Sequence, residues 1–182
     1  MTHQVALPGF AAPAVGFDAP FALLHACHER VQRTLALQHK LVVYLHSHPC
    51  DACARQAARD VLRYFDMAAP LHHEDEERHV FPPLLAQGDA ATTALVQQLQ
   101  QDHLRMTTDW QRARIPLWAL SQGQADAFSA DDEAVLAQFA SSYAAHIRTE
   151  EDVVYPAAQR MLPASTVQAM GQEMRQRRGA PE

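Results

Sequence analysis

Two stretches of this sequence pair a histidine with a carboxylate at a spacing suited to metal chemistry. One reads His72-His73-Glu74-Asp75-Glu76-Glu77 and is followed by Phe81-Pro82; the other reads His146-Ile147-Arg148-Thr149-Glu150-Glu151 and is followed by Tyr155-Pro156. Both fit H-x-x-x-E-E-x-x-x-[FY]-P, an internal repeat. Residues i and i+4 of a helix stand one turn apart on the same face, so each stretch aims one imidazole and one carboxylate at a common point. Two such pairs facing each other supply two histidines and two carboxylates. Carboxylates can bridge two metal ions while imidazoles terminate them. This mixed nitrogen and oxygen set suits iron, manganese or zinc and lacks the soft ligands that select copper(I).

Two lone histidines extend the set. His28 stands between Leu24 and Val31, and His103 between Leu99 and Met106, where helical periodicity calls for an apolar core residue. A single histidine, or a single H-x-x-x-E, is more often a solvated face or a hydrogen-bonded core group. The duplicated motif, with seam histidines at matching depth on two further helices, weighs against that reading here. Unpaired buried carboxylates cost several kcal/mol each, so a buried cluster of this composition nearly demands a cation. His25, one turn earlier, is the rival of His28, which fits the apolar stripe better. His3 and His39 read as solvated.

The elements that must position these residues are long helices. Helix A runs from about residue 19 to 45, with Asp18 as its cap, Pro20 in its first turn and Leu24, His28, Val31, Leu35, Val42 and Leu45 along its seam. Pro49 breaks it. Helix B covers about residues 51–85, with Val61, Phe65, Ala69, His72, Glu76 and His79 or Val80 on one stripe; Pro70 predicts a kink or break. Helix C covers about 91–115 with Leu95, Leu99, His103, Met106 and Trp110, and Pro116 is placed to bend its end. Ser129 and Asp132 resemble a capping box opening helix D, which carries Val135, Phe139, Tyr143, His146, Glu150 and Val153 and ends near Pro163. A short amphipathic helix over about 165–177 precedes a basic tail expected in solvent. The reading is all-α: an antiparallel up-down-up-down four-helix bundle over 18–162, with an irregular arm over 1–17 and a short C-terminal helix and tail over 163–182. In that topology His28, His103 and the two motifs fall at one end.

Composition agrees. Of 182 residues, 48% are hydrophobic and 20% charged, and only six are glycine, which favours a helical globular chain. The net charge of −6 argues against nucleic-acid binding, which needs a basic face. No apolar run reaches the length of a membrane span, and residues 1–17 lack the pattern of a signal peptide; a cytoplasmic protein is expected. Eleven histidines stand well above ordinary usage. Three cysteines imply no disulfide framework. His46-x-His48-x-Cys50-x-x-Cys53 is read as incidental before redox-responsive or zinc-binding. Tyr64 and Tyr143 are core residues that could also lie near the centre.

Taken together, His28 in Cys27-His28-Glu29-Arg30, His72-His73-x-x-Glu76 before Phe81-Pro82, His103 in Gln101-Asp102-His103, and His146-x-x-x-Glu150 before Tyr155-Pro156 resemble the hemerythrin-like, or HHE cation-binding, family over about residues 18–162. The resemblance implies a non-haem centre of two iron ions, with manganese or zinc as substitutes. Glu76 and Glu150 would be bridges, His28 and His72 ligands of one ion, and His73, His103 and His146 ligands of the other. Glu74, Glu77 and Glu151 would be surface acids or would orient ligand histidines. The chain departs from oxygen-carrying hemerythrins at Thr107, where those have a further histidine, and in the glutamate after His146, where those have aspartate. The resemblance therefore implies binding or sensing of a small diatomic ligand (O2 or NO), peroxide or iron status, by a monomer or homodimer. A di-iron oxidase or peroxidase and an iron-delivering repair protein are the alternatives.

Overall fold

Side-chain caps open three of the long helices. In the computed structural model of the protein, which describes residues 16–180, Asp51 accepts from the Ala54 N–H and Asp89 from the Thr92 N–H, each at 2.8 Å. Ser129 and Asp132 form the reciprocal capping box. The first helix differs from expectation: its N-cap is Ala19, with no side-chain cap, and Pro20 fills the first turn. Asp18 pairs instead with Arg175 at 3.2 Å.

The elements are α1 (Pro20–Leu45), α2 (52–87), α3 (Ala90–Ser121), α4 (130–161, with a turn at Ser142) and α5 (Ala164–Arg177). Helices α1 to α4 pack as a ring, each on its sequence neighbours and α4 on α1, and α5 lies against α1. This is the antiparallel four-helix bundle with a short C-terminal helix. The arm expected over 1–17, apart from its last two residues, lies outside the described residues, and so does His3. Pro116 does not end α3, which continues to Ser121. Burial of Ala113, Leu117 and Leu120 on the same turns holds the helix through the missing backbone bond.

The prolines of α2 and α4 have a shared consequence. Three π-turns interrupt these helices, at Tyr64–Ala68, Glu76–Val80 and Glu150–Val154. Each closes with an i→i−5 bond: Ala69 N–H to Tyr64, Phe81 to Glu76, and Tyr155 to Glu150. The next residue in each case is a proline, Pro70, Pro82 or Pro156. A proline ring collides with the carbonyl four residues back, and the wider turn relieves that collision without ending the helix. The kink expected at Pro70 is thus a π-turn.

The same turns correct the seam. Across a π-turn the buried face advances by more than 3.6 residues, so Val80 and Phe81, then Val154 and Tyr155, are buried. Val153, expected on the stripe, is 37% exposed. On α3 the buried residue is Val96 rather than Leu95.

Among the described residues the apolar core is divided in two. One cluster holds Val31, Phe65, Ala69, Met106, Phe139 and Tyr143; the other holds Leu24, Val80, Phe81, Leu99, Val154 and Tyr155. On every helix of the ring the chain passes from one cluster to the other through a histidine: His28 on α1, His72 on α2, His103 on α3 and His146 on α4. Helix α5 closes the second cluster with Met170 and Met174. Its close approach depends on Gly171, where a Cβ would stand 2.0 Å from the Phe17 carbonyl oxygen.

Candidate metal centre

Between the two apolar clusters, the histidine and glutamate side chains converge. His28, His72, Glu76 and Glu150 form one group of potential ligand atoms within 4.8 Å of one another, and His73, His103 and His146 form another. The carboxylates lie between the groups. Glu150 Oε2 is 3.1 Å from His28 Nε2, while Glu150 Oε1 is 3.0 Å from His146 Nε2 and 3.8 Å from His103 Nε2. Glu76 Oε1 is 3.5 Å from His72 Nε2, and Glu76 Oε2 is 3.5 Å from His103 Nε2. Each carboxylate therefore turns one oxygen to each group, the disposition of a bridge. Glu76 and Glu150 each begin a π-turn, so the wide turn that accommodates proline also sets the direction of the carboxylate.

The outer nitrogens of His28, His103 and His146 are held by acids, whereas His72 Nδ1 is buried without a hydrogen-bond partner. His28 Nδ1 lies 2.8 Å from Glu151 Oε1, which also meets His25 Nδ1 at 3.2 Å. His103 Nδ1 lies 3.0 Å from Glu77 Oε1, and Gln100 Nε2 donates to the other oxygen of Glu77 at 2.8 Å. His146 Nδ1 faces Asp102 Oδ2 at 3.4 Å. A carboxylate accepts, so it fixes the tautomer with the proton on Nδ1 and turns the lone pair of Nε2 inward. The second glutamate of each E-E pair thus orients a histidine from another helix. Asp102 does the same from α3 and was not singled out from the sequence, although it directly precedes His103.

Burial governs protonation here. It holds the His72 and His73 imidazoles well below the ordinary histidine range, with neighbouring imidazoles adding to the effect. They are neutral, the form that ligates metal. Burial also pulls His28 and His103 down, but Glu150 with Glu151 or Glu77 outweighs it, and both end above the ordinary value. Burial, then the charge of Glu150, pushes Glu76 far up. Burial pulls Glu150 the same way, but the surrounding imidazoles of His103, His146 and His28 hold it well below the carboxylate range.

The residues fit a cation. Glu76 Oε2 and both oxygens of Glu150 are buried and have no hydrogen-bond partner, although imidazole nitrogens surround them. His103 Nε2 and His146 Nε2 stand 3.2 Å apart with their opposite nitrogens turned to carboxylates, so in the neutral, metal-ligating form two lone pairs face each other. Buried polar atoms are almost always satisfied. Convergent lone pairs on nitrogen and oxygen are satisfied together by a metal ion with borderline or hard preferences.

Other sequence candidates lie elsewhere. His25 joins His28 and Glu151 in a third, half-exposed group, outside the convergent layer. Tyr64 turns away, donating to the Cys27 carbonyl at 3.1 Å. Cys50, which is buried, and the exposed Cys53 belong to no candidate ligand group among the described residues; His46 pairs with Glu133 at 2.7 Å, and His48 stacks on Tyr44. A cleft of about 670 Å³ reaches the layer from one side, lined by Phe65, His73, His103, Met106, Thr107, Trp110 and Tyr143 among others. It was invisible in the sequence because its walls come from α2, α3 and α4. No helix among the described residues is long and apolar enough to cross a membrane.

Comparison with known proteins agrees with the geometry. The chain is 29% identical over 166 residues to an uncharacterized protein of Haemophilus influenzae, covering 91% of this chain and 94% of that protein. The family description "Hemerythrin HHE cation binding domain" matches residues 19–158, a span that holds every histidine and glutamate of the layer. The chain belongs to the hemerythrin HHE cation-binding family.

Proposed function

We propose that the protein carries two iron ions in a carboxylate-bridged centre and uses them to bind or sense O2, NO or peroxide. His28 and His72 would hold one ion, His73, His103 and His146 the other, with Glu76 and Glu150 bridging. The observation that carries this reading is the division of the two carboxylates, each with one oxygen toward each imidazole group. Bound iron supplies reversible electron exchange and a coordination place for a small ligand. The protein's own part is to orient the imidazoles through Glu77, Glu151 and Asp102 and to exclude water with the flanking apolar clusters. A cytoplasmic location belongs to the same proposal. The test is to load the protein with iron and expose it separately to O2, NO and peroxide while recording absorption. A stoichiometric spectral change with at least one is expected, and no change with any would refute a binding or sensing role.

One observation favours a second reading, a di-iron oxidase or peroxidase. The cleft at His73 and His103 has a volume of about 670 Å³, far more than a diatomic molecule occupies and within the range of sites for organic ligands. Multiple turnovers of peroxide with a reporter reductant would establish it; a single stoichiometric reaction counts against it.

A further inference from the structure

The two repeats differ at one position that touches the centre. Phe81 and Tyr155 occupy the same place after their π-turns, and both are fully buried. Phe81 stacks on His103 with centroids 5.5 Å apart and ring planes 23° apart; Tyr155 stacks on His28 at 5.5 Å and 10°. The packing role is thus met by a plain benzene ring in one repeat. The hydroxyl of Tyr155 has to be explained by something else.

That hydroxyl lies among the ligand atoms. Tyr155 Oη donates to Glu76 Oε1 and stands 3.2 Å from His28 Nε2. The Nδ1 of His28 faces Glu151, which in the neutral, metal-ligating imidazole leaves a lone pair on Nε2, turned also toward Glu150 Oε2 at 3.1 Å. The single proton of Oη is directed to Glu76, so oxygen and nitrogen lone pairs confront each other across 3.2 Å, as they do for two donors to one ion. The donor sets point the same way. The group of His73, His103 and His146 with Glu76 and Glu150 has five side chains, whereas His28 and His72 with the same carboxylates have four. Tyr155 makes the sets equal. The cleft reaches His73 and His103 but is not lined by His28 or His72, so the shortfall lies on the side closed to solvent.

Resting on the di-iron reading above, we propose that Tyr155 is an additional protein ligand, its phenolate oxygen binding the ion held by His28 and His72. On ligation the Oη–H bond breaks, its proton is released to solvent, and the oxygen lone pair binds the metal. No electron is transferred. Exogenous ligands are thereby directed to the other ion, which faces the cleft.

The test uses ferric-loaded full-length protein and its Tyr155→Phe variant, a change whose packing the Phe81 repeat shows to be acceptable. Expected are a visible phenolate-to-iron charge-transfer band with resonance-enhanced ring vibrations in the parent, and loss of both in Tyr155→Phe with iron content retained. Two irons per chain without those features, their persistence in Tyr155→Phe, or their loss in Tyr143→Phe instead would overturn the assignment and leave the di-iron reading standing. Failure of the parent to bind iron would overturn both.

Discussion

Asp75, fully buried, is gripped by Arg178 from the far end of the chain, with Asp75 Oδ2 and Arg178 Nη2 2.5 Å apart. Arg177 reaches the other oxygen at 2.6 Å. The arginines expected in a solvated basic tail are instead 13% and 18% exposed. They lock α5 onto α2 at the residue next to Glu76. Removing one partner of a buried ion pair strands the other charges. Asp75→Asn should therefore destabilise the fold by about 3 kcal/mol, at the low end for such changes because the arginines can partly reach water. Asp126→Asn, which breaks an exposed pair with Arg55, should change stability by under about 0.5 kcal/mol. Urea denaturation of the two variants checks the contrast.

Glu173 extends the same clamp, contacting Arg177 at 2.8 Å and His79 at 2.7 Å. Arg177 above all, helped by His79 against a smaller opposing effect of burial, pulls its carboxyl down to about 2. A carboxyl depressed in the folded state stabilises it above the ordinary value, and that contribution is lost as pH falls through the folded value. Stability should decline from about pH 4.5 to about pH 2, and Glu173→Gln should flatten that part of the profile. The glutamate is about one-third exposed, so the effect is modest. Thermal melts across this range measure it.

Glu76 has the opposite sign. Its folded-state carboxyl is pushed far up by burial and by Glu150, so without metal its ionisation opposes folding at any pH above the ordinary carboxylate value. Metal-free Glu76→Gln should be more stable than the parent at pH 7, by on the order of 1–3 kcal/mol. The same variant should bind much less iron, because one oxygen of the proposed bridge becomes an amide nitrogen. Paired melts and metal analyses test both signs; a metal-free variant less stable than the parent would contradict the account.

Much of this was legible in the sequence, for physical reasons. Histidines and glutamates at helical spacing on apolar seams mark a buried polar layer, because such residues are otherwise kept out of cores. That logic located His28, His72, Glu76, His103, His146 and Glu150, and the family resemblance added His73; the fold brings all seven together. The 3.6-residue period failed where proline forced a wider turn, which is why Val153 was misplaced. Tyr155 registered only as half of an [FY]-P pair, since its contact with His28 joins residues 127 positions apart. The Asp75–Arg177 pair, 102 positions apart, leaves no periodic trace at all.

The cleft gives a prediction that separates access from assembly. Thr107 lines it one turn beyond His103 and donates to the His103 carbonyl at 2.9 Å. Thr107→Trp should fill the passage and slow the reaction of the iron-loaded protein with NO or peroxide by at least about tenfold, with iron content unchanged. Stopped-flow absorption against metal-matched parent protein decides it; equal rates would mean that ligands arrive by another route.

The most direct test of the central claim is the metal content of protein produced with iron, measured by elemental analysis alongside circular dichroism. The account requires close to two irons per chain, falling sharply when Glu150, whose oxygens face both imidazole groups, is changed to alanine. A folded, helical protein with no stoichiometric metal would contradict it.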